Sequence, residues 1–516
     1  MLMPYKPEPY VDFTHDQPRR SILNALEQIS RHLGQQHAIR ISGEPITTGK
    51  FITSVAPAAT DRIVGKVSKA DPALADKAVR AAAERFKTWS RTDPHERAAI
   101  LTKAAAIMRS RIYDLSALQI HEVSKPWIEA YADVCEAIDF CEFYARQAIN
   151  LGGRHPTTPF PGEDNAVQYI PLGVVAVIPP WNFPLAICMG MTVAALVTGN
   201  TVVLKPSSDS PVVASIMYDI LTEAGLPPGV LNFVPGSGGD VGETLVDHPL
   251  TRMIAFTGSR EVGIRINERA ANVQTGQIWL KRVILEMGGK DGVLVDETAD
   301  LQAAAEGITA AAFGFQGQKC SACSRVVAVD TIHDALLEQV IERAKSITIG
   351  DPTLPENFRM GAVINQSAYD NTHQYIEIGQ REGKQALGAS ATPDTGHFIA
   401  PHIFTDIKPN ARLAQEEVFA PVLAFIRAKD FEQGLEIING TDYGLTGALY
   451  SRDRDRLHRA RRDFHVGNLY FNRKCTGALV DVQPFGGFNM SGTNSKAGGR
   501  DYLQLFMQGK SICERI

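Results

Sequence analysis

A chain of 516 residues is too long for one hydrophobic core and implies two or three domains. With 44% hydrophobic and 21% charged residues it has an ordinary globular composition, and a net charge of -5 gives no electrostatic pull toward nucleic acid or an anionic membrane. The most apolar stretch, 174–197, is broken by Pro179, Pro180, Asn182 and Pro184, whereas a membrane span needs about 20 uninterrupted apolar residues, so no membrane partner is expected. Seven cysteines without a disulfide framework, behind a start that lacks a basic region followed by an apolar run, predict no signal peptide and a reducing, cytoplasmic setting.

Residues 1–50 are polar and proline-bearing and read as an arm or cap, with one amphipathic helix over Arg20–Leu33. From Asp71 to Arg146 apolar residues recur at three and four spacing with few breakers, which predicts helices. Gly, Pro and Thr crowd the 150s and 160s before a short strand, Val167–Ile170, suggesting a projecting hairpin. From Gly173 strands and helices alternate: strands at Val174–Ile178, Thr201–Leu204, Val230–Val234 and Met253–Phe256, with helical stretches up to Gly199, at Pro211–Ala224 and at Gly242–Val246. That alternation predicts a doubly wound parallel α/β sheet. A second alternating set runs from Gly292–Val295 to Leu469–Phe471, and a boundary is expected near Gly288-Gly289, where paired glycines allow the chain to reverse. The basic cluster Arg452–Arg462 alternates with acids and reads as a solvated helix face.

Chemistry concentrates in a few places. Cys320 lies in the glycine-flanked loop Gly314-Phe315-Gln316-Gly317-Gln318-Lys319-Cys320-Ser321-Ala322-Cys323, between an alanine-rich helical run and an apolar strand. A deprotonated cysteine is the strongest side-chain nucleophile at neutral pH, although most free cysteines are buried and inert. Cys320 and Cys323 also form a CxxC pair, but no second CxxC or paired histidine accompanies it, so no metal is expected and Cys323 reads as packing. A strict GxGxxG is absent; Gly258 and Ser259 follow a strand and open a helix, where backbone N–H groups can face a phosphate, as they also do in many ordinary turns.

Together with Leu285-Glu286-Met287-Gly288-Gly289-Lys290 and Ile178-Pro179-Pro180-Trp181-Asn182-Phe183-Pro184, the cysteine loop resembles the motifs of the aldehyde dehydrogenase superfamily, from about residue 35 to the end. The resemblance implies Cys320 as nucleophile, Glu286 as the base for thioester hydrolysis and Asn182 as an oxyanion-hole amide. It implies an NAD site with Lys205 and Ser208 at the ribose, Gly258 and Ser259 at the phosphates, and Pro180, Trp181, Glu417 and Phe419 near the nicotinamide. Many members carry a glutamate where Ser208 stands, so NADP is expected to be tolerated beside NAD. The segment Lys474-Cys475-Thr476-Gly477-Ala478 is similar to that of the branch oxidising L-glutamate γ-semialdehyde. There Gly477 and Ala478 would offer backbone N–H groups to the substrate carboxylate, Ser321 a hydroxyl, and Phe183 and Phe485 the flanks of its aliphatic linker.

The same resemblance implies a Rossmann-like NAD-binding domain over 1–147 and 172–289, a catalytic domain over 290–476, a substrate-anchor and linker segment over 477–496, and an oligomerisation hairpin and tail over 148–171 and 497–516. It further implies a homodimer or larger assembly, a monofunctional chain with no proline-oxidising domain ahead of it, and functional coupling to a proline dehydrogenase. A dehydrogenase for another carboxylated semialdehyde, such as succinate semialdehyde, is the alternative; it would usually hold its carboxylate with an arginine. A CoA-acylating enzyme typically lacks a residue matching Glu286, and a catalytically silent scaffold would not need Cys320, Glu286, Asn182, Lys205 and Glu417 together.

Overall fold

The computed structural model describes residues 3–388 and 390–516. Two seven-stranded sheets organise the chain. In the first, parallel strands run in the spatial order Arg282–Glu286, Thr251–Thr257, Val174–Ile178, Thr201–Leu204, Leu231–Phe233, and two antiparallel strands, Ile39–Ile41 and Glu44–Ile46, close the edge. Helices cover both faces, which is why Val174–Ile178 and Thr201–Leu204 are buried along their whole length and apolar without alternation. The spatial order reverses between the Val174 and Thr251 strands, and a parallel sheet opens its ligand crevice at such a reversal, beyond the carboxyl ends of the strands.

The second sheet holds six parallel strands, His402–Thr405, Val422–Ala428, Arg325–Val329, Gly292–Val295, Thr446–Tyr450 and Asn468–Phe471, with Lys384–Leu387 antiparallel at one edge. The chain leaves the first sheet at Glu286 and enters the second at Gly292. The glycine pair between them is not in a glycine-only conformation. Its reason is proximity: a Cβ on Gly288 would collide with the Glu417 carboxylate, and one on Gly289 would lie 2.5 Å from the Cys320 carbonyl oxygen.

Several local expectations shift. The first helix spans Asp16–Ser30 rather than Arg20–Leu33, because Asp16 and Pro18 suit its first turn. Residues 39–46 are edge strands of the first sheet, not arm. The strand after the 150s is longer than expected, Glu163–Pro171, because the C-terminal strand Met507–Arg515 pairs along it. Gly238–Gly242 forms a single π-turn ahead of the helix Glu243–Asp247. The helix Arg454–Asp463 buries Leu457 and Ala460 and turns its arginines outward, as its charge pattern predicts. All seven cysteines are free. No described helix is long and apolar enough to cross a membrane.

One buried ion pair ties the helical layer to the first sheet. Lys125 and Asp133 are both fully buried and bonded to each other. Asp133 also accepts the Ala186 N–H at 2.7 Å, capping the helix Ala186–Val197 that follows the Asn182 loop. The Lys125 ammonium lies 4.1 Å from the centre of the Phe183 ring and 4.9 Å from that of Phe315. Lys125→Met is therefore expected to strand the Asp133 charge and to cost about 3–5 kcal/mol of stability; a loss under about 1 kcal/mol in denaturant unfolding would mean the carboxylate finds another partner.

Candidate active site

A cleft of about 580 Å³ opens at the carboxyl ends of the first sheet, lined among others by Pro180, Trp181, Asn182, Lys205, Ser208, Gly258, Ser259, Glu417 and Phe419. A second cavity of about 140 Å³ runs from the other side and is lined among others by Glu286, Ser321, Phe183, Phe485, Gly477 and Ala478. Cys320 and Thr257 line both. Each catalytic, cofactor and substrate residue expected from the sequence thus lines one of two spaces that share Cys320 and Thr257.

The loop carrying Cys320 is held in an unusual backbone. Phe315 and Gln316 adopt left-handed conformations (φ 49° and 56°) and Gly317 follows at φ 68°, each non-glycine position costing of order 1–3 kcal/mol. Buried amides offset that cost. Gln316 Nε2 donates to the carbonyls of Ser124 (3.0 Å) and Ala362 (2.8 Å), and Gln318 Oε1 accepts the Ile364 N–H at 2.9 Å. Asn182 Nδ2 donates to the Gln318 carbonyl at 3.0 Å, leaving its second amide hydrogen unspent on that bond. Sequence reasoning passed over Gln316 and Gln318; two amides spaced between glycines in an otherwise apolar stretch were the available signal.

The protonation of the cluster follows from burial. Burial holds the Cys320 thiol well above its ordinary value, and the carboxylates of Asp291, Glu417 and Glu286 act in the same direction. Burial pushes the Glu286 carboxyl up to about 7, opposed by hydrogen bonds from Ser495. Ser495 donates its hydroxyl to Glu286 Oε1, while Oε2 is buried without a protein partner. Ser495 lies 209 positions along the chain from Glu286, so nothing local announces the pair.

In the cleft, burial lowers Lys205 to about 8, partly opposed by Asp209, and its ammonium donates to the Pro206 carbonyl at 3.0 Å. Of the two adjacent acids, Glu416 is spent on Arg412 and Tyr375, while Glu417 turns into the cleft and accepts the Gly289 N–H at 2.9 Å. Burial raises Glu417 to about 7. Phe419, itself left-handed at φ 58°, meets Trp181 edge-on at 5.6 Å between centroids. The Gly258 N–H is not available to a phosphate, since it donates to the Glu286 carbonyl at 3.0 Å. Ser259 caps the helix Arg260–Ala271, so the anion-facing end is the first turn of that helix. Gly238 and Gly239 border the cleft with open space where their Cβ atoms would be. A long groove with an ammonium, a carboxylate and a helix N-terminus along it fits a dinucleotide.

In the second cavity, Gly477 is left-handed (φ 77°), its carbonyl and that of Thr476 accept from Arg473, and Gln483 Oε1 accepts the Leu479 N–H. These bonds brace the segment, and none of them uses the N–H of Gly477 or Ala478. Lys319 is paired with Glu129 at 2.6 Å, and Glu136 and Tyr10 complete the wall; none of these four had been singled out. Cys323 packs in the core beside Cys475, as a non-catalytic cysteine should. Among the described residues no group of three His, Cys, Asp or Glu side chains could hold a metal.

This chain belongs to the aldehyde dehydrogenase family, whose pattern it matches over residues 46–512. Within that family it is 57% identical to the 1-pyrroline-5-carboxylate dehydrogenase of Geobacillus sp. (strain WCH70) over 514 residues, covering all of both chains. The crystal structure of 1-pyrroline-5-carboxylate dehydrogenase from Thermus with bound NAD superposes with a TM-score of 0.97 at 49% identity, again covering both chains fully. Proline utilization A from Bdellovibrio bacteriovorus is 45% identical with a TM-score of 0.98, over 99% of this chain and 53% of that one.

Gln316→Ala would leave two buried carbonyls without donors and is expected to cost about 2–4 kcal/mol and to change the rate at which iodoacetamide alkylates Cys320. Unchanged stability together with unchanged alkylation would show the amide to be idle.

Proposed function

We propose that this enzyme oxidises L-glutamate γ-semialdehyde, the open form of 1-pyrroline-5-carboxylate, to L-glutamate with NAD, the second oxidation in proline breakdown. The observation that carries the reading is the position of Cys320 on the wall shared by the dinucleotide cleft and the substrate cavity. A carbon bonded to that sulfur faces both spaces at once, as a hydride donor must.

The residues divide the work as follows. The Cys320 thiol is protonated at rest, so attack on the aldehyde carbon needs a base. Glu286, near half-ionised at neutral pH, accepts the thiol proton directly or through water. The oxygen of the tetrahedral adduct takes a hydrogen bond from Asn182, with the Cys320 backbone N–H as second donor; one such donor is worth about 3–4 kcal/mol of barrier. Lys205, Ser208 and Glu417 would hold NAD, with the helix that opens at Ser259 facing its phosphates, and the bound nicotinamide would supply the hydride acceptor. A thioester on Cys320 is left. Glu286 releases the first proton to solvent, then takes a proton from water as that water attacks the thioester carbon; the Cys320 thiolate departs and receives this proton back from Glu286 as glutamate forms.

The substrate follows from the cavity wall. Gly477 and Ala478 offer N–H groups to a carboxylate, Ser321 adds a hydroxyl, and Phe183 and Phe485 flank an aliphatic linker. That wall carries Glu136 and the paired Lys319 and Glu129, and no arginine. A plain dicarboxylate semialdehyde is poorly matched to it, whereas an amino acid semialdehyde, with an ammonium beside its carboxylate, is suited. Ser208 adds no charge against a 2′-phosphate, so NADP is also accepted. The three-stranded sheet of Arg154–Pro156, Glu163–Pro171 and Met507–Arg515 lies outside both large sheets and serves as the contact in a homodimer or larger assembly. The domain division at Gly288-Gly289, a cytoplasmic setting and functional coupling to a proline dehydrogenase complete the reading.

The first test compares NADH formation from 1-pyrroline-5-carboxylate, succinate semialdehyde and a simple aliphatic aldehyde, with NAD and with NADP. Preference for the first is expected, and preference for another aldehyde would overturn the substrate. Cys320→Ala should abolish oxidation and retain NAD binding by fluorescence titration; surviving turnover would remove Cys320 as nucleophile. Glu286→Gln should slow the NADH burst and suppress steady turnover, because the same carboxylate takes the thiol proton and then the water proton; an unchanged burst would remove it as the base for thiol attack. Steady-state turnover should fall as pH drops through the Glu286 pKa of about 7, because the base is then protonated. Ser495→Ala removes a donor that favours the ionised form, so this limb should move up by about one unit; a limb that stays put would assign it to another group.

A further inference from the structure

The substrate cavity is not closed by the two sheet domains. Its outer wall comes from the first residues of the chain. Tyr10 lines the cavity together with Glu136 and Ala132 of the helix Trp127–Leu151; it is 51% exposed, and Gly477 of the same lining is exposed as well, which puts both at the solvent end.

The segment that presents Tyr10 is clamped on both sides. Glu8 receives Arg109 through both Nε (3.0 Å) and Nη2 (2.8 Å), and its backbone N–H donates to Asp139 at 2.9 Å. Three residues beyond Tyr10, Phe13 is buried and packs edge-on against Trp127 (5.7 Å) and Tyr131 (5.9 Å). Farther back, the Tyr5 hydroxyl donates to the Val480 carbonyl at 3.4 Å, two residues from Ala478, so the arm is joined to the segment that would take the substrate carboxylate. Arg146 donates to the Met3 carbonyl at 2.8 Å. With anchors at residues 3, 5, 8 and 13, the arm is held in place on both sides of Tyr10.

We propose that the arm over residues 3–13 is the outer wall of the aldehyde cavity and that Tyr10 is a specificity-determining residue, its ring setting the length of amino acid semialdehyde that fits between the Gly477-Ala478 segment and Cys320. The inference rests on the substrate assigned above. A ring fixed at the open end excludes water from the tail of the bound substrate and stops a chain one methylene longer from settling with its carbonyl at the sulfur. One methylene in such a pocket is worth roughly 10- to 200-fold in kcat/KM.

The test is the ratio of kcat/KM for 1-pyrroline-5-carboxylate to that for its homologue one methylene longer, in the wild type, Tyr10→Ala and Tyr10→Phe. Tyr10→Ala should lower the ratio about tenfold or more, by raising KM for the shorter substrate and improving the longer. Tyr10→Phe, which keeps the ring, should hold the wild-type ratio. An Ala variant with the wild-type ratio, or a Phe variant that behaves like Ala, would overturn the wall. A general packing defect would lower both substrates together and leave the ratio unmoved, which also overturns it. A wild-type enzyme with no preference for 1-pyrroline-5-carboxylate over unrelated aldehydes would instead overturn the substrate assignment, so the two failures are distinct.

Discussion

The site depends on one constraint: a single residue, Cys320, borders two spaces. The loop that carries it does not follow a relaxed path between its helix and its strand. It turns through left-handed Phe315, Gln316 and Gly317. The strain is tolerated because buried amide groups over-determine the loop: Gln316 bridges two carbonyls, Gln318 holds Ile364, and Asn182 reaches across from the first sheet. Through the Asn182 bond to the Gln318 carbonyl, the loop is one of the links between the two sheets, beside the Gly289–Glu417 bond.

The second recurrent device is the buried charge. Glu122 is fully buried and accepts the N–H groups of Val212 and Val213 and the hydroxyl of Ser54, which orders the start of the helix Pro211–Glu223. Lys125 and Asp133 do the same for the Asn182 loop. Such groups are poor stabilisers, since desolvation consumes most of the Coulomb gain. Their value is positional: a carboxylate capping a helix start fixes that helix's rotation more tightly than apolar packing does. Glu286 shows the other use of burial. The same desolvation that makes a carboxylate costly raises its pKa into the range where it can trade protons near neutrality, and Ser495 keeps the rise in check.

Much of this was legible along the chain. The alternation of apolar runs and helical stretches after Gly173 is a local property, and it led to a doubly wound sheet because parallel strands buried on both faces have no polar face to show. Cys320, Glu286, Asn182, Lys205 and Glu417 stand in short segments whose spacing is distinctive, and the folded chain brings them to two adjoining cavities. Where the reading slipped, the cause was a partner distant in sequence. Residues 39–46 have no alternation strong enough to name them strands and become so by pairing at a sheet edge, and Glu163–Pro171 is lengthened by Met507–Arg515.

The sequence by itself determined which elements form, where the reactive groups stand, and the family to which they belong, because propensity, period and turn chemistry act within a few residues. Only the tertiary structure decided how those groups are held and tuned: that Glu417 and not Glu416 enters the cleft, that Gly258 spends its N–H on the sheet, that Ser495 serves Glu286, and that Tyr10 reaches the substrate cavity from the opposite end of the chain. These depend on strand order and on which faces of two sheets meet. No local pattern encodes such pairings, since they are selected by the packing of the whole.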